Sequence, residues 1–186
     1  MGGMAGLSVR GWVTGGGAVG VLVAAGAWAM WSAAGVDERL WGEVRPVIEA
    51  RLAADSRGSG YGETVPGIGA RWFCRAEALQ LDERDGQVRA GVNTLCMEYG
   101  ARDEALVECS GGRYPQVVRL ERAADGGYRV VSREQPPDGA GYAEWTRSRF
   151  GLLAESAAED PMSSETLEAA ARAHFRLPAN APVGAC

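Results

Sequence analysis

The sequence predicts an α+β protein: an N-terminal transmembrane helix, then an amphipathic helix packed on a curved antiparallel meander of about five strands, then short C-terminal helices. Three observations predict it. Residues 11–36 carry no charge. Residues 37–55 repeat their apolar side chains at helical spacing. From Trp72 onward the period changes to two, with hairpin-sized breaks.

The uncharged run from Trp12 to Trp31 is 20 residues long. As a helix it extends about 30 Å, the thickness of the bilayer hydrocarbon. Trp12, Trp28 and Trp31 sit at its ends, as in an aromatic belt. Arg10 precedes it; Asp37 and Glu38 follow. The positive flank stays in the cytoplasm, so residues 1–35 read as a single-pass anchor and residues 36–186 as extracytoplasmic. Small-residue sites at Ala27-Trp28-Ala29 and Ser32-Ala33-Ala34 leave a cleaved signal peptide, and hence a secreted protein, as the alternative.

Residues 37–55 place Leu40, Val44, Val47, Ile48 and Leu52 three and four apart, with Asp37 as N-cap and Pro46 as a point of kinking or splitting. Residues 56–70 hold five Gly and one Pro and read as a flexible loop. Its glycines form neither phosphate-binding fingerprint, so no nucleotide role follows.

Five strands are predicted at 71–81, 87–99, 104–110, 114–121 and 128–133. Asp85-Gly86, Gly100–Asp103, Gly111-Gly112-Arg113 and Asp125-Gly126 supply the turns. Alternation puts Trp72, Cys74, Ala76 and Ala78 on one face of the first strand and Val88, Ala90, Val92, Thr94 and Cys96 on one face of the second. That face is the better core candidate, although the other carries Phe73, Leu95 and Met97. Pro136-Pro137-Asp138-Gly139 marks a rigid turn, and residues 142–150 a short helix whose Tyr142, Trp145 and Phe150 pack back. Beyond Gly151 an Ala- and Pro-rich tail, residues 152–186, holds a helix at 164–175 and a mobile end. The compact domain is thus residues 36–151.

A hairpin centred on residue 85 pairs positions whose numbers add to 170. Cys74 and Cys96 satisfy that sum, stand opposite one another and fall within disulfide range. The alternative is two buried thiols acting as small apolar groups. Cys109 and Cys186 could pair and pin the tail, bridge two molecules, or stay free.

Composition excludes several classes. With 19 basic and 24 acidic residues the net charge is −5, so no nucleic-acid partner is expected. The only basic residue before position 36 is Arg10, which leaves 18 Arg and a net of −6 for residues 36–186. All basic residues are Arg, which with the Ala and Gly richness points to a GC-rich bacterial genome rather than to chemistry. No metal-ligand spacing occurs and no cofactor is expected. The one histidine, His174, lies on the tail helix; it could form a thiol–imidazole dyad with Cys109, although a lone His on a surface helix is much more often inert. No serine sits in a nucleophile elbow and no carboxylate pair stands out as acid and base. No catalytic residue is therefore assigned.

Phe73-Cys74, Leu95-Cys96-Met97-Glu98-Tyr99, Tyr114-Pro115-Gln116-Val117-Val118-Arg119-Leu120, Tyr128-Arg129-Val130-Val131-Ser132, and Pro136-Pro137-Asp138-Gly139 with Tyr142-Ala143 and Phe150 form a pattern. It resembles small bacterial membrane-anchored or extracytoplasmic proteins of uncharacterised function, over residues 37–151. The chain departs from them at Pro137, where Arg is frequent, and at Gly151, where Pro is. The order helix-then-meander suggests a cystatin- or NTF2-like roll. Two functions are compatible. One is a non-enzymatic tethered domain that binds a protein or envelope component. The other is a small-molecule or enzymatic pocket between helix and sheet, lined by Trp72, Tyr99, Tyr142 and Trp145.

Overall fold

A computed structural model of the chain describes residues 36–150 and 158–186. The predicted anchor lies outside the described residues. Among these, no helix is long and apolar enough to cross a membrane.

Helix α1 spans Glu38–Asp55. Asp37 caps it, its carboxylate accepting the Leu40 N–H at 3.0 Å. One face buries Leu40, Trp41, Val44, Ile48 and Leu52, the aliphatic ones worth about 2 kcal/mol each. The helix runs through Pro46 unbroken. Pro46 and Gly42, whose carbonyl loses its partner, both lie on the exposed side, where water serves that carbonyl. Asp37→Ala is expected to lower stability by about 1 kcal/mol in urea denaturation; an unchanged midpoint would mean that water caps the Leu40 N–H equally well.

The sheet is open and curved, with β1 (Arg71–Arg84), β2 (Gln87–Arg102), β3 (Ala105–Arg122) and β4 (Tyr128–Glu134) antiparallel in that order. Strand β5, Val183–Ala185, adds in parallel to β3. The predicted strands 104–110 and 114–121 are one strand. Gly111-Gly112-Arg113 is not a turn but mid-strand backbone paired with Met97, Cys96 and Leu95. The glycines are there for space: a Cβ at Gly112 would sit 2.7 Å from the Tyr114 ring, and one at Gly111 would strike the Met97 sulfur. The fifth strand comes instead from the tail.

The β1–β2 turn is Asp85-Gly86, both residues at positive φ (51° and 74°), as a two-residue hairpin loop requires. It pairs Arg84 with Gln87, positions that add to 171. A bulge between Ala78 and Gln80 then shifts the register to 170, which sets Cys74 opposite Cys96. The next turn is Asp103-Glu104, again at positive φ, without the predicted glycine.

Both sheet faces are covered. Helix α1 packs on the face bearing Cys74, Ala76, Val88, Ala90, Val92, Val118 and Leu120. On the other face lie α2 (Tyr142–Arg149) and α3 (Glu165–Phe175). Phe73, Leu95, Met97, Tyr99 and Leu106 pack against Leu167 and Ala171 of α3. The tail is therefore part of the core and not a loose appendage. Leu167 is 4% exposed and Ala171 is fully buried. The end of the chain is held by Leu106 N–H to Pro182 O, Cys186 N–H to Glu108 O and a Cys109–Cys186 disulfide.

Candidate ligand cleft

The Gly-rich segment 56–70 is anchored by a buried carboxylate. Glu98, fully buried on β2, accepts the Gly62 N–H at 2.8 Å and the Glu63 N–H at 2.9 Å. The Tyr61 N–H donates to Ser110 Oγ. This folds the segment over one end of the α1-covered face, between the helix C-terminus and the sheet.

What remains between them is a cleft of about 190 Å³. Leu52 of α1 and Ser56, which follows its last residue, line one side and Gly112, Tyr114 and Gln116 of β3 the other; Trp72 and Cys96 also line it. Cys96 is bonded to Cys74 with S–S 2.04 Å. A relay of hydrogen bonds ties the walls together. Asp55 accepts from Arg51 Nε at 2.9 Å and from Arg133 Nη2 at 2.8 Å. Arg133 Nη1 donates to Gln116 Oε1 at 3.1 Å, Gln116 Nε2 to Thr94 Oγ1 at 2.8 Å, and Thr94 Oγ1 to the Tyr114 carbonyl at 2.7 Å. Thr94, Gln116 and Arg133 are thus held in place before any ligand arrives. Trp72 is different: its indole N–H is buried and has no partner among the described residues. Such a donor costs about 1–3 kcal/mol unless something accepts it. Tyr114 stands near the mouth, 44% exposed, and Tyr61 is 61% exposed on the neighbouring loop.

The other predicted lining residues do not join Trp72. Tyr99 lies on the opposite face, fully buried with its ring 6.1 Å from Phe73; burial holds its phenol above the ordinary range and so neutral. Adjacent strand positions point to opposite faces, so Trp72, paired with Glu98, cannot share a face with the next residue, Tyr99. Tyr142 and Trp145 belong to α2, also on the far side, where the Trp145 ring lies 5.8 Å from Phe150 above Val117. The Cys109–His174 dyad does not form either. Cys109 is oxidised, and His174 sits edge-on to Phe73 at 5.7 Å.

Sequence reasoning overlooked Asp55, Gln116 and Arg133. Gln116 had a readable signal: it falls opposite Val92 on the apolar face, a polar residue at a core position. Chemically the cleft can bind. Ser56 Oγ donates to Leu52 O and Ser59 Oγ to Ser56 O, so neither is poised against a base. Among the described residues no group of three His, Cys, Asp or Glu could hold a metal ion.

No family model, curated protein or solved structure matches the chain.

Proposed function

We propose that the chain is a non-enzymatic binding module of the extracytoplasmic space, tethered by its N-terminal segment, whose partner is a protein of the cell envelope. The two disulfides suit an oxidising compartment. The observation that carries the reading is the cleft, whose Thr94, Gln116 and Arg133 are held by hydrogen bonds, with exposed Tyr61 and Tyr114 nearby. Exposed tyrosines beside a polar recess are the composition of a contact surface. The helix on a curved meander supports a cystatin- or NTF2-like roll, an architecture that by itself leaves function open. A small-molecule pocket is the second reading, favoured by the same polar walls. The cleft is smaller than the roughly 300 Å³ at which drug-sized sites begin, which suits one inserted side chain better.

The test is a photo-crosslinking amino acid at position 114 in the full-length chain, expressed in its native host. The expected result is one discrete protein adduct, absent when the same probe stands at exposed Asp125 in the β3–β4 turn. No adduct, or the same adducts from both positions, would refute the reading.

A further inference from the structure

Strand β3 is served unevenly along its outer edge. β4 pairs with residues 117–122 and β5 with residues 106–108. The parity of the stretch between them can be worked out. Arg122 N–H donates to Gly86 O, on the β2 side. Backbone groups alternate along a strand, so even-numbered residues from 122 back to 112 bond toward β2 and odd-numbered ones point outward. Val117, Arg119 and Glu121 are the outward residues that β4 meets. Pro115 falls in the outward set, so its missing N–H costs the β2–β3 ladder nothing. Two residues remain, Gly111 and Arg113. Among the described residues their N–H and C=O groups have no main-chain partner. Gly111 is exposed, and Pro115, already buried, closes the stretch.

We infer that residues 110–114 of β3 take one short extended segment of a partner protein as an added strand, which lowers a side chain into the cleft. This rests on the binding reading above and names its mode. Three observations select the occupant. First, the tail already uses this edge: β5 is a three-residue strand added in parallel on the same side. Second, the open stretch is about 17 Å long at the usual rise per residue and is flanked in its own layer by β4 and β5. A second copy would bring its own β4 and β5 and collide; a single unaccompanied strand fits. Third, Gly112 and Tyr114 belong both to this stretch and to the cleft wall. An added strand therefore places alternate side chains above the recess, the arrangement in which main-chain bonds give affinity and the pocket gives selectivity. Ser56, Ser59, Thr94, Gln116 and Arg133 line the recess, which suits a polar side chain, an amide or a carboxylate.

The outer edge of β1 lacks this opening. Glu49 accepts the Ala76 N–H at 3.0 Å, an Arg75–Glu77 ion pair lies along it, and the bulge after Ala78 interrupts the ladder. These are devices that block edge pairing.

The test pans the full-length oxidised protein against a phage-displayed library of linear heptapeptides and follows amide hydrogen exchange with a selected synthetic peptide. Exchange at Gly111 and Arg113 is expected to slow, while Gly112 and Tyr114, already bonded to β2, do not change. Arg113→Ala keeps the outward N–H and serves as the control for the lost side chain; Arg113→Pro removes that N–H and is expected to bind roughly tenfold more weakly than Arg113→Ala. No enriched peptide, protection on β1 instead, or equal affinity for Arg113→Pro and Arg113→Ala would overturn the inference. Slowing at Gly111 and Arg113 without peptide, rising with protein concentration, would assign the edge to a second copy and overturn it too. A crosslink from position 114 with no change at these two amides would remove strand addition but leave the binding module standing.

Discussion

Replacing Cys109 and Cys186 by alanine is expected to lower the unfolding free energy by about 4 kcal/mol, more than removing the other disulfide. The bridge closes a loop with a sequence separation of 77, against 22 for Cys74–Cys96. In the chain-entropy account the destabilisation grows with the logarithm of loop length, which gives about 4 kcal/mol for the long loop and about 3 for the short one. The longer bridge also has the weaker local support. β5 is only three exposed residues held to β3, and α3 docks chiefly through Leu167 and Ala171. Without the bridge the last residues can fray, whereas β1 and β2 remain paired along their whole length. Urea denaturation of the two double-alanine variants checks the order. The Cys109–Cys186 variant should show the lower midpoint and the steeper denaturant dependence, because its unfolded chain is freed to expand further. The reverse order would show that native packing around Cys74 and Cys96, not loop closure, dominates.

The same bridge shows what the sequence could and could not carry. The tail helix at 164–175 was legible from its spacing, and so was a second apolar set on the outer face of the sheet, Phe73, Leu95 and Met97. Together they imply a docked tail. Neither alone says so, because an Ala-rich helix is equally stable as an exposed element. Gly111-Gly112 misled for a definite reason. Glycine is enriched both in turns and where another group crowds the backbone, and only the positions of Met97 and Tyr114 distinguish the two. The cysteine register was legible, yet the turn alone leads to a sum of 171. The bulge near Leu79 that corrects it has no local signature. In the cleft, Trp72 could be read from its face. Asp55 and Arg133 could not, since each is an ordinary charged residue until the helix C-terminus is laid over β4.

Glu98→Ala is expected to cost about 3–4 kcal/mol, and Glu98→Gln about 2. The carboxylate is fully buried with no ion-pair partner among the described residues, and burying an unpaired charge is ordinarily costly. That cost alone would make substitution favourable. The opposing term is what the carboxylate accepts. Gly62 and Glu63 aim their N–H groups at its two oxygens, at 2.8 and 2.9 Å. Hydrogen bonds to a charged acceptor are worth about 1.5–3 kcal/mol each, and a buried donor left without one loses a comparable amount. Two such bonds together are expected to outweigh the desolvation. The loop is also shaped around the group, since a Cβ at Gly60 would collide with the carboxylate. Alanine strands both donors and leaves a void. Glutamine keeps one acceptor oxygen but turns an NH2 toward the second N–H, so it falls between. Thermal and urea unfolding should rank the proteins parent, Glu98→Gln, Glu98→Ala, with faster amide exchange at Gly62 and Glu63 in both variants. Because this loop frames the cleft, the crosslink from position 114 should weaken in the same order. An alanine variant as stable as the parent, with those two amides still protected, would show that the segment is held by its own turns and not by Glu98.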